Sequence, residues 1–370
     1  MALARYITSM QSGKHFTRRL ALGTGFAALA APSVVRAASL RWRLVTSWPK
    51  NRTGPALSAR RIAERIARMS GGRVQIQVFA AGEIVPAFAT LDAVSSGVVE
   101  LAHTASLYWQ NIFPAAGLFT TAPFGLGPVE HQAWIEFGGG QTLWDELYAS
   151  RGVRPFLAGN TGPSMGGWFR KPIVNVDDIK GLRIRVQGLG AEVYLRLGAT
   201  PIAISPAEIL PAIEKGVIDA VEFLGPASDL DTGIVRYAPH YYKPGFNKPN
   251  GASELLISQT LWDSLTSDLQ AIIAEACRAE HGQGLAEATQ TNATALMTLF
   301  QTSSMKIESF PEPVLTDALN ATRGLMKAIS DRDNLSHRIV ASYTQAQLQL
   351  RGWSWLSADM TAQLARLTRL

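Results

Sequence analysis

Residues 181–223 read GLRIRVQGLGAEVYLRLGATPIAISPAEILPAIEKGVIDAVEF. The pattern predicts three short strands, over 181–186, 200–204 and 217–223, with a helix in each interval. A repeat of strand, helix and strand is typical of a largely parallel sheet flanked by helices. This stretch therefore predicts an α/β fold.

The same pattern occurs nearer the amino terminus. Alternating apolar residues predict strands over 40–46, 74–79 and 98–102, and helical periods predict helices over 55–69 and 86–96. Two such units in one chain favour two similar α/β lobes, and about 330 mature residues suffice for two domains of ~100–200 residues each.

The carboxyl-terminal third is predicted to be mainly helical. After a strand over 254–258, a helical period runs from residue 260 to about 300, which is long enough to brace both lobes. A further helix is predicted over 314–329 and a last one over 337–370. This last segment carries Trp353 and Trp355, which must pack on the chain's own lobes or on a second copy.

Residues 1–37 have the composition of an export signal. They hold five basic and no acidic residues, including the pair Arg18 and Arg19 ahead of a mildly apolar run over 20–35. That run is shorter than the ~20 residues of a membrane span, which disfavours an anchor. We predict a twin-arginine signal peptide, cleaved after Ala37, and a periplasmic location.

Charge and cysteine content exclude several classes of function. Without the leader, 30 basic residues face 29 acidic ones, so no basic surface for nucleic acid is expected. The single Cys277 rules out an internal disulfide, and its place in a helical pattern predicts quiet packing.

Candidate ligand-binding residues follow two of the predicted strands. Arg185 ends one strand, and Glu222 and Phe223 end another. Open parallel sheets bind ligands beyond such strand ends, and an arginine fork matches a carboxylate. Glu222 would repel that anion unless a cation such as Na⁺ or Ca²⁺ lay between them. The alternatives are an exposed strand charge for Arg185 and a salt bridge to a neighbouring Lys or Arg for Glu222.

Enzymatic motifs are weak in this chain. None of its six histidines has the spacing of a zinc-protease motif, and no nucleophile elbow is present. The segment GLGAEV at 188–193 lacks the third glycine of a dinucleotide loop. We therefore expect no enzyme, while a signalling role for a binding protein stays open.

Several segments resemble the solute-binding proteins of tripartite ATP-independent periplasmic (TRAP) transporters, over residues 40–355. They are SWPKN at 47–51, GGRVQIQVFAAGEIVPAFATLDAVSSGVVELAHTAS at 71–106, AGNTGPSMGGWFRKPI at 158–173, DIKGLRIRVQGLGAEVYLRLGATPIAI at 178–204 and VIDAVEFLGP at 217–226. SWPKN, GGWF and VEFLGP are most similar to the branch that binds 2-oxo acids, lactate and related monocarboxylates, often with a metal ion.

The resemblance implies a periplasmic-binding-protein-like fold with a cleft between two lobes, a long bracing helix and a carboxyl-terminal helical arm. It also implies a receptor that delivers a small carboxylate to TRAP membrane subunits. We predict lobe I over 38–160 and 250–290, lobe II over 161–249 and 291–336, and a tail over 337–370 that forms a homodimer arm.

The resemblance also assigns roles in the metal and carboxylate site. Arg185 matches the carboxylate-binding arginine. The Glu222 carboxylate and the Phe223 carbonyl match ligands of a cation, Na⁺ or Ca²⁺, to which Asn247 adds an amide oxygen.

Four positions are further candidates or departures from the family pattern. Tyr108 and Asn160 are candidate ligand contacts. Ser164, assigned to both ligand and metal, stands where a glutamine is expected, and Phe223 stands where a tryptophan is expected. Both changes enlarge or dry the pocket, so we expect either a preference for a bulkier or more apolar 2-oxo or 2-hydroxy acid or weaker metal binding.

Overall fold

The computed structural model of the chain describes residues 39–50 and 53–368, and it contains two β-sheets covered by helices. The predicted signal peptide lies outside the described residues. Residues from 39 onward belong to one compact unit, so the sequence limits given for the two lobes remain a prediction.

The first sheet has five strands in the order β2-β1-β3-β10-β4. They are β1 Leu40–Thr46, β2 Val74–Phe79, β3 Leu101–Thr104, β4 Val153–Asn160 and β10 Ala252–Ser258. β1 is parallel to β2 and β3, whereas β10 is antiparallel to both β3 and β4. The sheet is therefore mixed, because the chain returns to it in β10 after forming most strands of the second sheet.

The second sheet has six strands in the order β11-β9-β5-β8-β6-β7. They are β5 Gly167–Phe169, β6 Arg183–Arg185, β7 Thr200–Ile202, β8 Ala220–Val221, β9 His240–Lys243 and β11 Lys306–Ser309. β6 pairs in parallel with β7 and β8, and β5 pairs antiparallel with β8 and β9.

The helices cover the faces and edges of both sheets. They are α1 Pro55–Met69, α2 Thr90–Ser95, α3 Pro128–Phe137, α4 Gly140–Ala149, α5 Leu189–Arg196, α6 Ile209–Glu214, α7 Pro226–Thr232, α8 Gln259–Ser264, α9 Ser267–Thr302, α10 Glu312–Ser330 and α11 Asn334–Leu367. Short 3₁₀ helices lie at Ser106–Trp109, Ala116–Phe119, Val176–Ile179, Pro206–Glu208 and Ile234–Arg236. In the described ranges, no helix is both long and apolar enough to cross a bilayer.

Helix α1 confirms its prediction residue for residue. Ile62 and Ile66 recur at helical spacing and are fully buried. Gly71 and Gly72 follow the helix with φ of 61° and 81°, a left-handed conformation that glycine adopts without strain. The helix predicted over 86–96 is shorter, because a turn closes from the Ala89 N–H to the Pro86 carbonyl before α2 begins.

Helix α9 is the predicted long helix, but it begins at Ser267, because the residues from 260 that were predicted to start it form the separate helix α8. The 36 residues of α9 span about 54 Å at 1.5 Å per residue. Ile273 and Cys277 pack in the core of the first sheet, and Leu299 packs in the core of the second. Gly284 lies where the helix crosses the end of β4, and an added Cβ would come within 3.2 Å of the Asn160 nitrogen.

Helix α11 is buried only along its first half. Tyr343 is buried there and its hydroxyl accepts a hydrogen bond from the Leu126 N–H at 2.8 Å. Farther along, Trp353 and Trp355 are 66% and 70% exposed. Their burial on the chain's own lobes, one of the two predicted alternatives, is therefore not observed.

Candidate ligand-binding site

A pocket lies between the two sheets and takes residues from both. The segments after β1 and β3 form one wall, and the ends of β6 and β8 form the other. Most of its lining is apolar, with a few polar groups among it. Its principal side chains are Trp48, Pro49, Leu107, Tyr108, Arg185, Gln187, Pro206, Phe223 and Lys248.

Arg185 is the main fixed positive charge of the pocket. It ends β6, is only 2% exposed, and its Nη1 donates to the Glu222 carbonyl at 2.8 Å. Its Nε donates to the Ile204 carbonyl at 3.3 Å, and the guanidinium carbon lies 5.4 Å from the centre of the Phe223 ring. Within the described residues no carboxylate forms an ion pair with Arg185. The fork is thus positioned by neutral groups and keeps donors for an anion.

Tyr108 lies beside this arginine. It is carried by the 3₁₀ helix Ser106–Trp109, which follows β3. Burial raises the pKa of the Tyr108 hydroxyl above its ordinary value, and Arg185 opposes this only in part. The hydroxyl is therefore a proton donor at neutral pH, as the predicted ligand contact requires.

Glu254 of β10 anchors the helix that carries Tyr108. Its carboxyl group accepts hydrogen bonds from Ser106 Oγ at 2.6 Å and from Trp109 Nε1 at 2.9 Å. The Tyr148 hydroxyl also donates to it, at 3.2 Å. Burial raises the pKa of Glu254 from 4.5 to about 7, although all three donors lower it.

Trp48 forms the pocket wall opposite Arg185 and is held by a neutral histidine. Its Nε1–H donates to His103 Nδ1 at 2.7 Å, and His103 Nε2 bonds the Ala158 carbonyl at 2.8 Å. Burial lowers the pKa of His103 to about 4. Because Nδ1 must accept, the neutral ring with its proton on Nε2 is the form that fits.

Three separate segments converge behind Arg185. The Ser164 N–H donates to the Lys248 carbonyl at 3.1 Å, and the Met165 N–H donates to the Leu224 carbonyl at 3.1 Å. These bonds bring together four residues that the sequence predicted: Ser164, Glu222, Phe223 and Asn247. All but Phe223 are buried, and Ser164 Oγ and Asn247 Oδ1 lack a hydrogen-bond partner.

Lys248 occupies the position at which the cation was predicted. Its Nζ lies 2.8 Å from Glu222 Oε1 and donates a short hydrogen bond to the Phe223 carbonyl. The contact with Oε1 is one of charge, since the two groups are not aligned for a hydrogen bond. The alternative given above for Glu222, a salt bridge to a neighbouring Lys or Arg, is the arrangement observed.

Sequence reasoning missed Lys248 and Gln187 among the polar residues that line the pocket, and its candidates Ser164, Glu222 and Asn247 lie behind the lining. Lys248 directly follows the candidate Asn247, and Gln187 lies two residues after Arg185, so proximity to the motif was the available signal. Asn160 does not line this pocket. It is buried at the end of β4, where its Nδ2 donates to Asn250 Oδ1 and its Oδ1 accepts from the Gly162 N–H, both at 2.8 Å.

Comparison with protein families identifies the architecture. Residues 46–333 match the model of the bacterial extracellular solute-binding proteins, family 7. The chain belongs to this family. A protein of Nostoc sp., named as a monocarboxylate 2-oxoacid-binding periplasmic protein, is 34% identical over 316 residues, covering 85% of this chain and 86% of the relative.

Solved structures of TRAP solute-binding proteins have the same fold. One from Bordetella bronchiseptica has a TM-score of 0.86 and 33% identity, covers 90% of this chain and 100% of its own, and is a dimer of mixed occupancy with calcium and picolinate in one site. One from Pseudoalteromonas atlantica has a TM-score of 0.85 and 34% identity, covers 88% and 99%, and holds sodium and pyruvate. A third, from Colwellia psychrerythraea, holds calcium and pyruvate, with a TM-score of 0.85, 32% identity and coverage of 88% and 99%.

In their observed arrangement, the predicted metal ligands of this family 7 protein do not fit a sodium or calcium ion like those held by these relatives. Of the predicted ligands, Glu222 supplies the only carboxylate, and its Oε1 and the Phe223 carbonyl are already in contact with the Lys248 ammonium group.

Proposed function

We propose that this protein is a periplasmic receptor that captures a small monocarboxylate, a 2-oxo acid such as pyruvate or a 2-hydroxy acid such as lactate, and delivers it to the membrane subunits of a TRAP transporter. Family membership supports the receptor role, and the relatives that hold 2-oxo acids support the class of ligand. In this role the protein binds its ligand without transforming it.

The observation that carries this proposal is the buried guanidinium of Arg185. Two carbonyls fix it, and within the described residues no carboxylate neutralises it. A ligand carboxylate would neutralise that charge. Because Arg185 is buried, the charge-assisted hydrogen bonds between them would be strong. The Tyr108 hydroxyl, beside Arg185, would donate to the ligand's 2-oxo or 2-hydroxy oxygen.

The apolar lining supports an acid larger than pyruvate. Leu107, Pro206 and Phe223 line the same pocket as Arg185 and offer apolar surface against which the tail of a longer acid could pack. Each methylene buried in such a pocket contributes about 0.8 kcal/mol. We infer that branched or longer 2-oxo acids bind more tightly than pyruvate itself.

The binding step is proposed to draw the two walls of the pocket together. The carboxylate would be held by Arg185 on the second sheet while the ligand's 2-oxo or 2-hydroxy oxygen meets Tyr108 from the first sheet. Contacts made with both walls favour a closed state, as in other hinge-closing receptors. The closed form would then dock on the membrane subunits.

The exposed end of α11 supports a homodimer. Trp353 and Trp355 are exposed together with Leu348, Leu364 and Leu367 of the same helix. A second copy of this chain is the occupant we propose for this apolar face, and a dimer in the Bordetella structure agrees with it.

Export through the twin-arginine route is proposed from the sequence of the leader. Arg18 and Arg19 precede a weakly apolar run, which is the pattern that the route requires. Replacing both arginines with lysine should keep the precursor in the cytoplasm, as fractionation and immunoblotting would detect. Unchanged export would contradict this route.

A thermal-shift screen of the mature protein tests the proposed ligand class. Monocarboxylates with a 2-oxo or 2-hydroxy group should raise the melting temperature, whereas dicarboxylates, sugars and amines at equal concentration should not. A shift only with the latter compounds would contradict the proposal. Uptake of the best acid by cells with and without the gene then separates transport from signalling.

A further inference from the structure

We propose that the ammonium group of Lys248 takes the place of the cation found in the related receptors, so that this protein binds its carboxylate without a metal ion. The proposal concerns the pocket described above. What it implies for ligand binding rests on the proposed function. Its first argument is position: Nζ contacts Glu222 Oε1 at 2.8 Å and the Phe223 carbonyl, two of the atoms expected to hold the ion.

A metal ion and this ammonium group exclude each other. Sodium and calcium are held by several oxygens, and calcium lies at about 2.3–2.6 Å from each of its about six to eight ligands. An ion bonded to Glu222 Oε1 and to the Phe223 carbonyl would lie against Nζ, with like charges in contact. The other predicted ligands, Ser164 and Asn247, supply only two further side-chain oxygens, Oγ and Oδ1, and both are neutral.

The four charges of the proposed arrangement balance without a metal. Glu222 is negative, Arg185 and Lys248 are positive, and the ligand brings one negative charge, so these four groups together are neutral. A calcium ion would leave two uncompensated positive charges in a region where Glu222 is 1% and Lys248 8% exposed. Buried charges without partners are strongly unfavourable.

Lys248 is also able to contact the ligand directly. It lines the pocket, and an ammonium group has three donors, of which the Phe223 carbonyl uses one while Glu222 is contacted through its charge. A remaining donor is left for an oxygen of the ligand. Lys248 would thereby supply both the charge and the orienting contact that the cation supplies elsewhere.

Calcium titration of the protein without any organic ligand tests whether Lys248 excludes a metal ion from the site. After treatment with a chelator and dialysis, titration with CaCl₂ and elemental analysis should find no bound calcium in the wild-type chain. The variant Lys248→Met should bind about one calcium ion per chain, because Glu222 is then released. One calcium bound by the wild-type chain, and lost in Glu222→Gln, would overturn the proposal.

Ligand binding gives the second part of the test. For the tightest-binding 2-oxo acid, the Kd of the wild-type chain should agree within twofold in buffers with chelator and choline chloride, with NaCl, or with CaCl₂. Lys248→Met should weaken that binding at least 30-fold in chelator and regain part of it in CaCl₂. A wild-type Kd that tightens tenfold or more with either cation would overturn the proposal.

Controls separate this inference from the proposed function and from misfolding. Lys243→Met removes an exposed lysine, whose Nζ bonds Ser309 Oγ at 3.0 Å, and should change neither measurement. If Lys248→Met does not fold, the pair Lys248→Met with Glu222→Gln restores charge balance and should fold without binding calcium; one calcium per chain in that pair would overturn the proposal. If no acid binds to the wild-type chain, the proposed function fails, whereas the calcium titration still decides the inference.

Discussion

Glu254, which holds the 3₁₀ helix that carries Tyr108, allows a quantitative prediction of how the free energy of unfolding depends on pH. Its carboxyl group is buried beneath Ser106 and Trp109, on either side of Tyr108, and its pKa is raised from 4.5 to about 7, chiefly by burial. Between these two values the folded protein keeps a proton that the unfolded chain releases. The free energy of unfolding should therefore fall as the pH rises through this interval and level off above pH 7.

The size of this effect follows from the shift. At about 1.4 kcal/mol per pKa unit, a shift from 4.5 to about 7 corresponds to roughly 3 kcal/mol of stability lost between these pH values. Glu254→Gln cannot titrate. The difference in unfolding free energy between the wild-type chain and this variant should therefore change by about 3 kcal/mol from pH 4.5 to pH 7.5.

Urea unfolding at half-unit steps of pH, followed by circular dichroism, measures that difference. Asp219→Asn is a control whose difference from the wild type should stay constant between pH 4.5 and 7.5, because the hydrogen bonds from Arg183 lower the pKa of Asp219 below 3.8 and its contribution disappears only as the pH falls below that value. A wild-type minus Glu254→Gln difference that is constant over the whole range would refute the reasoning.

Three further predictions concern the pocket, the dimer and the thiol. Phe223→Trp should narrow the pocket, so that binding of longer 2-oxo acids weakens roughly tenfold relative to binding of pyruvate, as Kd values from calorimetry would show. An unchanged ratio of the two Kd values would exclude Phe223 as the residue that sets the preferred size of the acid. Replacing Trp353 and Trp355 with glutamine should convert a dimer at micromolar concentration into a monomer in sedimentation, whereas glutamine at Phe300, which is 55% exposed on α9, should leave the dimer intact. Cys277 is 1% exposed and burial raises the pKa of its thiol, so Ellman's reagent should label it only after unfolding, and rapid labelling of the native protein would contradict the described packing.

Local sequence patterns were enough to predict the central elements of the fold. The alternation in VQIQVF and the helical period of Ile62 and Ile66 are set by one buried face, so β2 and α1 have the predicted limits. Strands β4, β5, β9 and β11 were not predicted. β9 and β11 are four residues long, and β4, with Pro155 and Gly159 in it, departs from simple alternation.

The candidate site was predicted as a set of residues but not as an arrangement. Strand order indicated that Arg185 and Glu222 meet, because both end parallel strands that pair as neighbours. The position of Lys248 depends on a loop that returns between β9 and β10, and no local pattern gives the direction of such a loop. The ion pair of Lys248 with Glu222 is therefore a tertiary feature, which the sequence allowed only as an alternative.

Calorimetry of the mature wild-type chain with pyruvate and longer 2-oxo acids tests the central claim most directly, with Arg185→Ala and Arg183→Ala beside it. Arg183 is the matched control, since it lies on the same strand but is exposed and pairs with Asp219. Removing one partner of a buried charge pair costs about 2–5 kcal/mol, so Arg185→Ala should weaken binding by roughly 30- to 4,000-fold while Arg183→Ala binds as the wild type does. Wild-type affinity in Arg185→Ala, or no heat with any monocarboxylate, would contradict the account of this pocket as a carboxylate receptor.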